Sequence, residues 1–207
     1  PRVVILEIKR LTHTSRQLVN KAENAFIFAC VLFVHKRRVK IETDIVIFAF
    51  IYGYIKQLGT AMNLQRHASL GKIKTIIKHV TDGLATAEHE GLPKRIRDFI
   101  RTHHGVSKTG YFYITYKNEH PNEDIDESLF TYPGPRPSTK EQAVLMLADC
   151  VEAASHSLKE YTEENINKLV DNIVEGKLRD GELAMSPITF HDIHTIKEVF
   201  NKRLMAI

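Results

Sequence analysis

Two adjacent histidines, His103 and His104, end the segment Asp98-Phe99-Ile100-Arg101-Thr102-His103-His104-Gly105, with His79 one helix earlier and Asp149 on a later helix. Three imidazoles and a carboxylate form a donor set that suits Mn, Fe or Zn. If the four converge, the chain is a metal-dependent hydrolase. Side chains of neighbouring residues at a helix end point about 100° apart, so His103 and His104 cannot both lie on one apolar face. At least one must face a site or solvent.

Asp149 is the only charge between Ala143 and Val151, a run apolar on nearly every side of a helix. Burying a lone carboxylate costs several kcal/mol unless it is paired. Its partner is a metal, an arginine or a set of backbone amides. His79 sits at the margin of an apolar stripe, one turn after Ile76, where a histidine can either pack structurally or reach into a cleft. Among the other histidines, His67, His89, His120, His156, His191 and His194 have surface or loop surroundings. His191 and His194 lie three apart on one helix but lack an acidic third ligand.

These residues need helices to hold them. Ile73, Ile76, Ile77, Val80, Leu84 and Ala87 recur at helical spacing, and Gly91-Leu92-Pro93 closes that helix and opens the next. Lys94 to His103 is a short helix, with Gly105 placed as its C-terminal cap. Residues 105–138 are aromatic and proline-rich, a loop of more than 30 residues with room for a short helix. Ser138-Thr139-Lys140-Glu141 reads as a capping box for a helix running to about Leu158. Thr162 caps the next, which carries Ile166, Leu169, Val170, Ile173 and Val174 and stops before Gly176. Thr189 with Asp192 starts the last, with Ile193, Ile196, Val199, Phe200 and Leu204 inward. Upstream, Gln17 to Phe33 and Asp44 to Leu58 are also read as helices. The expectation is an all-α, single-domain bundle over residues 1–207, with no strands downstream of residue 67.

The 207 residues suffice for one full core, and 43% apolar with 26% charged residues is ordinary for a globular chain. The net charge of +4 hides an asymmetry: 12 Lys/Arg face 4 Asp/Glu in residues 1–72, and 17 face 21 in the remainder. Arg37-Arg38 with Lys36 and Lys40 is the one dense basic cluster. No recognised DNA- or RNA-binding motif accompanies it, so no nucleic-acid partner is expected. Cys30 and Cys150 lie in apolar runs 120 positions apart, which argues for a reducing compartment and against a disulfide framework. The apolar runs Ala25 to Val34 and Ile45 to Ile55 fall short of the roughly 20 residues a membrane span requires. The start at Pro1, without a leader pattern, reads as part of a longer protein.

Four stretches together resemble a known family. Ile76-Ile77-Lys78-His79-Val80-Thr81-Asp82-Gly83, the Asp98 to Gly105 segment, Tyr132-Pro133-Gly134-Pro135 and Met146-Leu147-Ala148-Asp149 look like the HD-domain phosphohydrolases. The match is to the cytoplasmic domain of the seven-transmembrane HD family, which includes the PgpH-like cyclic-di-AMP phosphodiesterases. Leu158-Lys159-Glu160-Tyr161-Thr162-Glu163-Glu164 and Pro187-Ile188-Thr189-Phe190 extend it, so residues 67–207 are covered.

The resemblance implies an HD helical bundle on the cytoplasmic face of a bacterial membrane, hydrolysing a cyclic dinucleotide with metal-activated water. Such centres hold two metals, Mn or Fe foremost. They are built from a first His, a His-Asp pair, a later His, a His-His pair and a late Asp. On that pattern His79, His103 and His104 hold one metal and Asp149 belongs to the other. Tyr111, Tyr113 and Arg136 are candidate base and phosphate contacts, since aromatic faces stack bases and guanidinium forks match phosphate. The tyrosines serve equally well to pack the loop onto the core.

The N-terminal third departs from the pattern. The first ligand position falls on Thr14, with His13 one place early, and Gly53-Tyr54 stand where the family has its His-Asp pair. That aspartate bridges the two metals, so its loss implies one weakly held metal at best and severely reduced hydrolysis. The alternative function is then a catalytically impaired nucleotide-binding or signalling module. A natural loss of the pair, or a shifted reading frame upstream of about residue 67, would each produce such a break.

Overall fold

A computed structural model of the protein describes residues 69–89 and 91–206. The helices expected at Gln17 to Phe33 and Asp44 to Leu58, the Gly53-Tyr54 position, His13, His67 and the Arg37-Arg38 cluster lie outside the described residues. Six α-helices follow in order: α1 (Leu70–His89), α2 (Lys94–Thr102), α3 (Gly110–Glu119), α4 (Lys140–Ser155), α5 (Glu163–Arg179) and α6 (Phe190–Leu204), with a 3₁₀ turn at Glu127–Phe130 before α4. Among the described residues the only β pairing is one isolated bridge, Lys108 with Thr131. Among the described residues the fold is the all-α bundle that the helical spacing implies. Among the described residues no helix is long and apolar enough to cross a membrane.

Helix α4 is the central element because it is apolar all round. Ala143, Val144, Met146, Leu147, Ala148 and Val151 pack with Ile166, Val170 and Val174 of α5 and with Ile193, Ile196, Phe200 and Leu204 of α6. Its Leu145 faces the other way, into a second cluster made by Ala87, Ile96, Phe99 and Ile100. Both sides of the helix bearing Asp149 are therefore held by core. Fully burying each such side chain contributes about 1.5–3 kcal/mol, which fixes the backbone on which the carboxylate rides.

Helix ends follow local chemistry, with three differences from the sequence reading. Thr139, not Ser138, caps α4 by accepting from the Gln142 amide, while the Ser138 amide donates to the Gln142 side chain at 2.8 Å. The cap is shifted by one residue and lacks the reciprocal bond of a capping box, and α4 ends at Ser155 rather than near Leu158. Helix α5 runs through Gly176 and ends at Arg179. There Glu182 N–H donates to Lys177 O and Gly181 N–H to Leu178 O, both at 3.1 Å, with Gly181 at φ 71°. This is the Schellman arrangement, which needs a left-handed residue just past the helix, and Gly176 has no such role. The α1 terminus uses the same device: Leu92 N–H donates to Ala87 O at 2.9 Å around Gly91. Thr162 and the Thr189/Asp192 capping box sit where the sequence places them.

The long segment between α2 and α4 is pinned rather than loose. Thr109 N–H donates to Phe130 O at 2.8 Å and Tyr132 N–H to Ser107 O at 3.0 Å, so the excursion leaves and returns at one place. Phe130 is completely buried and anchors the return. The consequence is that Tyr132 is delivered back beside the residues following α2.

Candidate metal centre

His79, His103 and His104 converge: each offers one nitrogen, and the three atoms lie within 4.8 Å of one another. His79 comes from the middle of α1. His103 caps α2, and His104 opens the turn after it. His103 is 1% exposed, whereas the His104 side chain is 19% exposed. The doublet thus has both rings in the site, with centroids 4.0 Å apart.

The ring orientations are set by the backbone. His79 Nδ1 is bonded to Ile76 O, and His103 Nδ1 to Ile100 O at 2.6 Å. A carbonyl only accepts, so both Nδ1 atoms carry protons and both Nε2 atoms are left as acceptors. Those two Nε2 atoms face each other at 3.1 Å. Burial, and then the neighbouring His79, push the His103 pKa down to about 3. His79 is lowered mainly by burial, and His104 is held well below its ordinary value by burial and by the other two rings. At neutral pH no proton is available between the lone pairs. A pair of neutral acceptors in this position fits a cation.

Asp149 lies next to this group rather than inside it. Its Oδ2 is 3.5 Å from His104 Nδ1, with the carboxylate 18% exposed. Burial, followed by repulsion from Glu152 and opposed by Lys177, raises its pKa to about 7. The contact joins a neutral ring to a half-protonated acid; bringing up a cation would draw the acid into its ionised form. Tyr132 stacks on the His104 ring at 4.1 Å and 20°, and meets His79 edge-on at 6.0 Å. Its hydroxyl is held protonated by burial. Tyr132 belonged to a recognised motif without an assigned role, and its packing supplies one: it fixes the plane of His104.

The loop residues are placed differently. Tyr111 is 72% exposed on α3 and meets Phe112 edge-on. Tyr113 donates to Glu127 at 2.8 Å and packs on Phe130. Arg136 is half-buried, and its Nε is buried without a hydrogen-bond partner among the described residues. Of the remaining histidines in the described residues, His156 and His194 pair with Glu152 and Glu198, and His120 stacks on Tyr116.

Gly105, directly after the doublet, has φ 54°, and a β-carbon there would lie 2.3 Å from Glu182 Oε2 and 2.7 Å from Met146 Cε. Gly105→Ala is expected to cost about 3 kcal/mol. Roughly 1–2 kcal/mol comes from the left-handed backbone, and the rest from pushing Glu182 off the Val106 amide it accepts from. Urea unfolding of the metal-free variant measures it.

No family model matches the chain. The cyclic-di-AMP phosphodiesterase PgpH of Bacillus subtilis is 39% identical over 132 residues, 64% of this chain and 18% of that protein. PgpH of Listeria monocytogenes is 33% identical over 132 residues, and an uncharacterised Synechocystis protein 38% identical over 131. The chain therefore spans under a fifth of these relatives' length, at 16–18%. The crystal structure of the L. monocytogenes PgpH HD domain in complex with cyclic-di-AMP superposes with a TM-score of 0.73 at 24% identity, covering 89% of this chain and 88% of that one. A second structure of that domain gives 0.72 at 23% identity. At these identities the superpositions establish a common fold, and the sequence matches supply the relationship. Over about two thirds of its length the chain is thus similar in sequence to cyclic-di-AMP phosphodiesterases, and it shares the fold of the PgpH HD domain.

Proposed function

We propose that this domain is a metal-dependent phosphodiesterase acting on a cyclic dinucleotide, cyclic-di-AMP, within a larger protein whose HD domain lies at the cytoplasmic face of a bacterial membrane. The observation that carries the reading is the confrontation of two unprotonated Nε2 atoms at 3.1 Å. His79, His103 and His104 would hold one divalent metal. Two neutral imidazole acceptors 3.1 Å apart would suit a divalent ion, Mn or Fe foremost.

Asp149 stands where it can serve a second metal position beside His104. A metal held there would supply an activated water as nucleophile and neutralise charge on the phosphate oxygens. The protein's own contributions are orientation of the rings by Ile76 O, Ile100 O and Tyr132, and a carboxylate that ionises as a cation arrives. The exposed Tyr111 face suits base stacking, and the buried, unsatisfied Arg136 Nε suits a phosphate oxygen. Tyr113 joins them as a base contact, although its hydroxyl already serves Glu127.

A second reading rests on Gly53-Tyr54, which stand where the family has its His-Asp pair, whose aspartate bridges the metals. It makes the chain a nucleotide-binding or signalling module with one metal or none. Metal content and cyclic-di-AMP turnover with added Mn²⁺ separate the two. The enzyme reading expects Mn²⁺-dependent formation of a linear dinucleotide; nucleotide binding without turnover would sink it for this chain.

A further inference from the structure

We infer that Glu182 is a positioning residue for the His103-His104 pair, holding the turn that follows them through the backbone of Val106. The inference rests on the metal-site reading and extends it to a residue far from the site in sequence. After His104 the chain leaves α2 and is no longer held by a helical ladder. Its local bonds are Gly105 N–H to Thr102 O at 3.0 Å and Ser107 N–H to His104 O at 3.1 Å. Two side chains from the end of α5 complete the restraint.

Glu182 is 4% exposed, and its Oε2 accepts from the Val106 amide at 3.1 Å. Lys177 Nζ donates to Ser107 Oγ at 2.6 Å. The Schellman turn around Gly181 brings both onto one edge, since Glu182 N–H is itself bonded to Lys177 O. Gly105 has no side chain where Glu182 Oε2 needs to pass. A buried carboxylate bonded to the backbone amide two residues beyond His104 fixes the turn that carries the doublet, and through that turn the ring positions. Outer-shell partners of this kind typically change metal affinity by 10–100-fold.

Three variants of the full chain separate geometry from charge. Glu182→Gln keeps an oxygen within reach of Val106 and loses the charge. Glu182→Asp keeps the charge and falls a methylene short. Glu182→Ala loses both. Titration with Mn²⁺ is expected to give Glu182→Gln an affinity within about threefold of the parent, and the Asp and Ala variants one weakened about 10–100-fold. Long-range ¹H–¹⁵N spectra of the imidazoles in the metal-free protein should shift for His104 in the Asp variant and stay put in the Gln variant. Unshifted His104 signals in Glu182→Asp, or a Gln variant as impaired as Asp, would overturn the inference. A parent that binds no Mn²⁺ defeats the metal reading instead, and the imidazole spectra still decide the role of Glu182.

Discussion

Replacing His103 by asparagine is expected to weaken divalent-metal binding at least about 100-fold while leaving the fold intact. The asparagine amide nitrogen falls near the position of imidazole Nδ1, so the bond to Ile100 O can persist. What disappears is Nε2, the atom facing His79 at 3.1 Å. In the metal-free state that loss removes a clash of lone pairs, which offsets the smaller packing volume at a buried position. The variant's metal-free stability should stay within about 1 kcal/mol of the parent, against the 2–5 kcal/mol typical of emptying a core site. Titration calorimetry with Mn²⁺ and urea melts of the metal-free proteins measure the two halves. A variant that keeps the parent's metal affinity would show that the three imidazoles are a packing cluster. Any cyclic-di-AMP hydrolysis should fall in parallel with metal occupancy, since His103 Nε2 takes up no proton near neutrality and its Nδ1–H is held by Ile100 O.

What was legible in the sequence was what local chemistry decides. Thr189 and Asp192 cap each other within four residues, so the start of α6 could be read directly. The stop of α5 could not, because Gly176 and Gly181 are equally good residues for a C-terminal cap. Only the packing of Leu183 into the core selects the second. The α4 cap was displaced by one residue for a similar reason: the Gln142 side chain is claimed by Ser138, leaving Thr139 to receive the helix amide. At the site, the histidine doublet and Asp149 stood out because charge or adjacency broke an apolar pattern. Glu182 and Lys177 broke none, sitting at a helix end where charged residues are ordinary. Their part is a tertiary fact, visible only once α5 lies against residues 105–107.

Acidification should unfold the metal-free domain unusually steeply between about pH 6 and pH 4. All three site histidines have folded pKa values below the ordinary 6.5, led by burial, with His103 at about 3. Below pH 6.5 the unfolded chain therefore takes up protons that the folded one refuses. Where the unfolded state binds more protons, stability rises with pH, so it is lost as pH falls through this window. Asp149 works in the opposite sense. Its folded pKa is raised from 3.8 to about 7, so between those values the folded state keeps a proton that the unfolded chain releases. Three histidines against one aspartate leave at most two net protons taken up on unfolding, a slope of up to about 2.7 kcal/mol per pH unit. Against a typical total of about 5–15 kcal/mol, two pH units are decisive. Urea midpoints at pH 7, 6, 5 and 4 test the sign, and a flat profile would mean that the imidazoles are not buried in neutral form. The His103→Asn variant should flatten the slope by about one proton, or about 1.4 kcal/mol per pH unit. Bound metal should steepen the loss further, because it would hold Asp149 ionised and so remove the one proton that the folded, metal-free site keeps. The burial that keeps these rings unprotonated, and so able to bind a metal at neutral pH, is the same burial that makes the empty site fail in acid.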